Sequence, residues 1–134
     1  MATTAPAVKA ALLAELLERF DGDVHVQWGL PAELPTRYER VYILNDRDHR
    51  RDGTRGNLEV ETYVIELLVE CHLNRSPQHV EERAREIEAT VQAGVEAIAG
   101  SWAVAFVTGD GSIPEQTPEG LLYRCSPTVR VRAV

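Results

Sequence analysis

The sequence lacks the features that would place the protein in a membrane, in an oxidising compartment or on nucleic acid. No apolar run approaches the ~20 residues of a membrane-spanning helix. The N-terminal Met-Ala-Thr-Thr has no basic region followed by an apolar core, so we expect no signal peptide and synthesis in the cytosol. Only two cysteines are present, Cys71 and Cys125, which predicts buried, reduced thiols rather than a disulfide framework. The net charge of −7 argues against a general nucleic-acid-binding protein.

Motifs that carry chemistry are also missing. The sequence has no Gly-rich phosphate loop, no nucleophile elbow and no His-Glu-x-x-His. Cys71 and His72 are adjacent, so in a strand they point to opposite faces and cannot easily share one metal ion. Asp21 and Asp23 favour a helix-ending turn over a calcium site, because further acidic ligands at alternate positions are missing. We therefore predict no catalytic residue, no metal site and no cofactor.

What is present is the composition of one ordinary globular domain. The chain has 134 residues, of which 44% are hydrophobic and 26% charged, so residues 1–134 are expected to form a single domain. Its centre is residues 58–108. An apolar run over 58–73 is followed by a helical pattern that Ser76-Pro77 opens and Gly100 ends, and then by a β-prone segment. This order predicts a strand–helix–strand crossover that lays its helix across one face of a sheet.

The rest of the chain predicts one more helix and several strands. Apolar spacing indicates a helix over about 6–20 with Thr4 as its cap, strands at 24–28 and 39–44, and a proline-containing loop at 29–37. Residues 45–57 carry no apolar side chain and predict a long polar loop. Residues 58–71 are apolar at both odd and even positions, which predicts a strand covered on both faces at its centre. The second helix should span about 77–99, and a turn-rich connection should span 109–120.

The final segment alternates between apolar and polar residues. One face would carry Leu121, Tyr123, Cys125, Val129 and Val131, and the other Arg124, Ser126, Thr128, Arg130 and Arg132. The last two strands most simply form an antiparallel hairpin with a long tip. The predicted fold class is α+β: a mostly antiparallel sheet of about five strands with two helices packed on it, in the order α-β-β-β-α-β-β.

The charges are unevenly distributed along the chain. Residues 47–55 hold four arginines and two aspartates, a net charge of +2, whereas residues 58–100 hold nine acids and three arginines. A basic loop on an acidic body suggests docking to a protein partner, with a phosphate clamp or a merely solvated loop as alternatives. The candidate interface residues are Arg47, Arg50, Arg51, Arg55, Glu115, Gln116, Thr117, Arg124, Arg130 and Arg132.

The segments, taken in order, resemble a known family. The chain opens with Ala-Leu-Leu-Ala-Glu-Leu-Leu-Glu-Arg-Phe at 11–20, then Val-Gln-Trp-Gly-Leu-Pro at 26–31 and Arg-Val-Tyr-Ile at 40–43. It continues with Glu-Thr-Tyr-Val-Ile at 61–65 and Val-Glu-Glu-Arg-Ala-Arg-Glu-Ile at 80–87. It closes with Glu-Gln-Thr-Pro-Glu-Gly at 115–120, leading into Tyr-Arg-Cys-Ser-Pro-Thr-Val-Arg-Val-Arg at 123–132. This sequence resembles the tail-terminator proteins of long-tailed bacteriophages, especially those of actinobacterial hosts. The resemblance covers most of the chain and rests on element order, size and loosely patterned segments.

The resemblance implies a structural protein of the virion rather than an enzyme. Members of that family assemble into a hexameric ring at the head-proximal end of the tail, where the ring halts tube polymerisation. The implied partners are further copies of the chain, the tail-tube protein and the head-completion or connector proteins, with no membrane and no cofactor. DNA would cross the lumen without specific binding, because an acidic protein repels phosphates. The family has no active site to carry over, so the interface residues above come from this chain's own polar segments.

Two alternatives remain. The first is another neck, head-closure or tail-tube subunit of a phage. The second is a small cytosolic α+β ligand-binding domain or enzyme, which would have a pocket of convergent polar groups containing Glu66, His72 or Cys125.

Overall fold

The described residues of the protein form a seven-stranded sheet with two helices on one of its faces. The structure is a computed structural model that describes residues 3–30, 39–55, 58–100 and 102–134. Within these ranges the elements are α1 (Ala5–Phe20), β1 (His25–Trp28), β2 (Glu39–Arg55), β3 (Leu58–Leu73), α2 (Pro77–Ile98), β4 (Ala103–Val107), β5 (Glu115–Thr117), β6 (Gly120–Cys125) and β7 (Thr128–Ala133). The pairing of β1 with β2 is parallel, and the other described pairings between these strands are antiparallel.

The predicted α+β class and element order are confirmed. The predicted final strand divides at Ser126-Pro127 into β6 and β7, and the short strand β5 precedes them. The predicted loop at 29–37 lies, apart from its first two residues, outside the described residues.

Strand β3 is the centre of the sheet. Strand β2 pairs along one edge of β3, while β6 and β7 share the other edge, β6 opposite residues 69–73 and β7 opposite residues 61–66. The odd-numbered residues 63–71 of β3 are buried beneath the helices. They are Tyr63, Ile65, Leu67, Val69 and Cys71. The even-numbered residues 62–68 are only half-buried, so the predicted cover on both faces is missing at the centre of the strand, and only Val60, Glu70 and His72 nearer its ends are buried on that face.

The predicted strand–helix–strand crossover is present, with another strand inserted in it. Strand β4 pairs with β7, and β7 pairs with β3, both in antiparallel register. Strands β3 and β4 are therefore parallel, with β7 between them. Helix α2 begins as predicted, since Ser76 is its N-cap and accepts a hydrogen bond from the His79 backbone N–H at 3.3 Å. The predicted antiparallel pairing of the last two strands corresponds to the pairing of β4 with β7.

The prediction of a polar loop at 45–57 is wrong. Residues 45–55 continue β2 and pair with β3, so the polar sequence forms one arm of a long hairpin. The register shifts between Ile43 and Asp46, between Arg47 and Arg50, and again before Thr54. Asp48 has a positive φ of 58°. The arm is a bulged edge strand. It is extended because the apolar strand β3 supplies its hydrogen-bond partners, and not because its own residues favour the β conformation.

The hairpin is tied to the start of α1 by a cluster of polar side chains. Lys9 Nζ lies 2.6 Å from Asp46 Oδ1, and His49 also contacts Asp46. Buried Glu61 accepts hydrogen bonds from the Thr4 backbone N–H at 3.1 Å and from the Thr3 hydroxyl. Thr4 is the N-cap residue of α1, as predicted, but its hydroxyl makes no cap hydrogen bond and contacts Glu61 and Tyr63 instead.

Acid is expected to loosen this cluster. Hydrogen bonds from Lys9 and His49 hold the pKa of Asp46 below its ordinary 3.8. Burial would raise the pKa of Glu61, but hydrogen bonds from Thr3 and Thr4 outweigh it and hold that pKa below its ordinary 4.5. A carboxylate whose pKa is lowered by folding stabilises the native state at neutral pH, and this stability is lost as the pH falls through the native pKa.

We therefore expect the free energy of unfolding, measured by urea denaturation, to decrease as the pH falls below about 4.5. An Asp46→Asn, Glu61→Gln double variant should be less stable at neutral pH and show a shallower acid dependence. Parallel curves for the two proteins would contradict the assignment.

Candidate assembly surfaces

The face of the sheet opposite the helices forms an open, basic groove. The groove has a volume of about 790 Å³, and its lining includes Arg50, Thr62, Val64, Ala103, Arg130 and Arg132. The alternation of β7 creates this face, because Val129, Val131 and Ala133 are buried beneath the helices while Arg130 and Arg132 are exposed. The predicted two-faced pattern of the final segment is confirmed here.

The strand register brings distant arginines together in this groove. Thr62 on β3 lies between Arg50 on β2 and Arg132 on β7, and Arg132 is in turn opposite Ala103 on β4. In the next row, Arg130 lies between Val64 and Ala105. Within the described residues, no carboxylate forms an ion pair with Arg50, Arg130 or Arg132. The groove therefore carries three arginines without ion-pair partners among the described residues, while Asp48, which also lines it, is paired with Arg47.

The predicted arginine segment does not act as one basic unit. Arg47 Nε lies 2.6 Å from Glu66 Oε1, and Arg51 Nη1 lies 3.3 Å from Glu59 Oε2. Of the arginine side chains that the structure describes in this segment, only that of Arg50 lines the groove. The backbone of Arg55 ends β2, but its side chain is outside the described part of the chain. The described side chains therefore do not form a phosphate clamp from all four arginines.

The other predicted interface segment lies on the β5–β6 hairpin at the far end of β3. Glu115 and Gln116 are exposed, whereas the Thr117 hydroxyl contacts His72 and donates a hydrogen bond to the Gly120 carbonyl oxygen at 2.9 Å. Arg124 Nε lies 2.7 Å from Glu70 Oε2. Thr117 and Arg124 thus have buried or half-buried partners within the chain. Glu115 and Gln116 are presented to solvent, although Glu115 Oε2 lies 3.8 Å from Arg124 Nη1.

Sequence reasoning missed a buried charged pair. Arg40 is 5% exposed and Glu70 is 7% exposed, and the two are register partners on β2 and β3. Arg40 Nε lies 3.5 Å from Glu70 Oε1 and has no hydrogen-bond partner among the described residues. The only sequence signal was a charged residue inside each predicted strand, which does not say that the two face each other.

A second buried carboxylate also went unpredicted. Glu88 on α2 accepts a hydrogen bond from the Gly109 backbone N–H at 3.1 Å, and its other oxygen lies 2.8 Å from Arg85 Nη1. Arg85 also donates to the Gly109 carbonyl oxygen at 2.9 Å. These two hydrogen bonds at Gly109 hold the segment that follows β4 against α2.

The residues that the enzyme alternative required do not line the groove. Its described lining contains none of Glu66, His72 and Cys125. Both cysteines are free and buried, as predicted, and burial raises the pKa of each thiol to about 12. Among the described residues, no three His, Cys, Asp or Glu side chains are grouped as metal ligands would be. Neither described helix combines the length and apolar character needed to cross a membrane.

The fold defines a class: an α+β domain with two helices on one face of a mostly antiparallel sheet and a long β2–β3 hairpin. A chain in the solved structure of the virion of a native gene transfer agent particle shares this fold. The similarity has a TM-score of 0.66 and covers 98% of this chain and 98% of that chain, at 13% sequence identity. No protein-family model and no curated protein sequence matches the chain.

Proposed function

We propose that this protein is a structural subunit of a phage-like virion, and specifically a tail terminator. In this role, copies of the chain form a ring that caps the tail tube and joins it to the head-completion proteins. The observation that carries the proposal is the similarity to a chain of a gene transfer agent virion, which extends over 98% of both chains. The order of elements that resembles tail terminators supports the finer assignment.

The surfaces of the subunit suit a protein that works by contact with neighbours. Trp28, Leu30 and Ile113 are large apolar side chains that are 43%, 69% and 90% exposed. Among the described residues, β1 covers the outer edge of β2 only at residues 40–43, and β4 pairs only with β7. Exposed apolar side chains and unpaired strand edges are features of surfaces that associate. The net charge of −7 favours a lumen through which DNA passes without binding.

Mass photometry and electron microscopy of the purified protein test the proposal. We expect rings whose mass is six times the 14.9 kDa of one chain, and binding of the protein to one end of isolated tail tubes. A monomer at every concentration, with no assembly on tail tubes, would overturn it. Many rings along each tail, instead of one, would favour the tail-tube alternative.

The arginines of β2 provide a second test, in which Arg47, Arg50, Arg51 and Arg55 are all replaced by alanine. We expect the urea denaturation midpoint to change little, because exposed ion pairs contribute little to stability. Docking to tail tubes or to a head-completion protein, measured by co-sedimentation, should weaken. Arg19→Ala removes an exposed ion pair with Glu15 on α1 and serves as the control. Normal assembly of the fourfold variant would remove this segment from the interface.

A further inference from the structure

The free edge of β4 lies beside the arginines of the groove. We propose that an extended segment of a partner protein, with carboxylates at alternate positions, adds to this edge and binds Arg130 and Arg132. The inference goes beyond the proposed ring, because it names the chemistry of a partner and stands whether or not the protein forms a ring.

The edge of β4 is unusually open to pairing. Its five residues, Ala103–Val107, contain no charge, no proline and no glycine, and they pair with β7 without a register shift. Within the described part of the chain, no strand pairs with its outer edge. The outer edge of β2 at residues 45–55 differs, because it is bulged and densely charged. Bulges and charges protect sheet edges from pairing with other chains, so the unprotected edge of β4 is the one suited to receive a strand.

Two alanines separate this edge from the arginines. Ala103 is opposite Arg132 and Ala105 is opposite Arg130, and both alanines are exposed on the groove side. A strand added to β4 would lie two strand spacings, about 9.6 Å, from β7. An Arg and a Glu side chain can meet over that distance because nothing larger than a methyl group stands between them. Each contact would be a charge-assisted hydrogen bond.

The spacing of the arginines selects an extended acidic segment. Arg130 and Arg132 are two residues apart on one strand, which places them about 6.8 Å apart along it. Carboxylates at alternate positions of an added strand have the same spacing. Arg50, across Thr62 from Arg132, adds a third positive charge to the groove.

A peptide fits this site better than a nucleic acid does. The edge of β4 offers backbone N–H and C=O groups, which another polypeptide strand matches and a phosphate backbone does not. The described lining of the groove has no exposed aromatic side chain on which bases could stack. The net charge of −7 also opposes a long polyanion more than a short acidic segment.

Fluorescence anisotropy with the full-length protein tests the proposal. The probe is a labelled Thr-Glu-Val-Glu-Val-Glu-Thr peptide, compared with the same peptide carrying Gln for Glu and with a single-stranded oligothymidylate. We expect the Glu peptide to bind at least about tenfold more tightly than the Gln peptide. The Arg130→Gln, Arg132→Gln variant should lose this preference. The control, Arg19→Gln with Arg75→Gln, changes the net charge equally at exposed positions outside the groove and should keep it.

A second variant separates the strand-addition geometry from simple charge attraction. Ala103→Leu with Ala105→Leu keeps every arginine but fills the path between the edge and β7, so peptide binding should weaken by at least about tenfold. Hydrogen exchange should show that the Glu peptide protects β4 amides in the unmodified protein. Urea denaturation confirms that each variant is folded.

Several results would overturn the inference. They are absence of peptide binding, equal binding of the Glu and Gln peptides, loss of binding in the Arg19, Arg75 control, or no effect of the leucine variant. Tighter binding of oligothymidylate than of the Glu peptide would replace it with a nucleic-acid site. If the protein forms rings that do not bind the peptide, the ring proposal stands and this inference fails. If a strict monomer binds the peptide, this inference stands and the ring proposal fails.

Discussion

Replacing Glu70 with alanine will lower the free energy of unfolding by about 3–5 kcal/mol. Glu70 is buried between Arg40, at 3.5 Å, and Arg124, at 2.7 Å. Arg40 is also buried, and its Nε has no hydrogen-bond partner among the described residues, so the Glu70 carboxylate is what compensates its charge. Removing the carboxylate leaves a buried guanidinium without an ion pair, which costs far more than the loss of an exposed pair.

Glu66→Ala is the matched control, because Glu66 lies on the same strand and points to the same face. Its carboxylate pairs with Arg47 in an exposed position, so its removal should change stability little. The double variant Arg40→Met, Glu70→Leu removes the charge as well as its partner and should recover much of the lost stability. Urea denaturation at pH 7 gives all three values. Equal losses for Glu70→Ala and Glu66→Ala would show that the buried pair is not what stabilises this part of the sheet.

Gly120→Ala will lower the free energy of unfolding by about 2–5 kcal/mol. Gly120 has a φ of 130°, a conformation that residues with a side chain rarely adopt. A Cβ there would also lie 2.7 Å from the backbone carbonyl group of Leu73 and 2.8 Å from the Asn74 nitrogen. These are backbone atoms at the end of β3, so they cannot move aside as a flexible side chain would.

Gly100→Ala isolates the steric part of that loss. Gly100 has a φ of 124°, but a Cβ there would meet no described atom within 4 Å. Its replacement should therefore cost only the backbone strain, about 1–3 kcal/mol, and should be the milder of the two. Thermal and urea denaturation of both variants measures the difference. If Gly100→Ala were as damaging as Gly120→Ala, the close approach between the β5–β6 hairpin and β3 would not be the cause.

Local sequence signals were enough for the helices and for the faces of the last strand. Ser76-Pro77 marked the start of α2, and apolar spacing placed both helices within one residue of their observed bounds. The alternation around Arg130 and Arg132 put both on one face. These features depend on neighbours within a few residues, which is why the sequence predicts them well.

The features that the sequence did not predict correctly depend on residues that are far apart along the chain. The polar arm of β2 has little β propensity of its own, and it is a strand because β3 supplies its hydrogen bonds. The pairing of Arg40 with Glu70, and the arrival of Arg50 beside Arg132, follow from registers between segments 30 and 82 positions apart. Alternation tells which residues share a face of one strand, but not which strand lies next to it.

Because β7 lies between β3 and β4, these two strands cannot join one sheet until β7 has formed. The parallel strands β3 and β4 have no hydrogen bonds to each other, so they join one sheet only when residues 128–133 enter between them. During synthesis β3, α2 and β4 emerge first, and two strand edges stay bare until the last six-residue strand has been made. Contacts between such distant segments form slowly, because a long loop must close before they contribute. A nascent chain stalled before residue 128 therefore leaves both of these edges open to pairing with other chains.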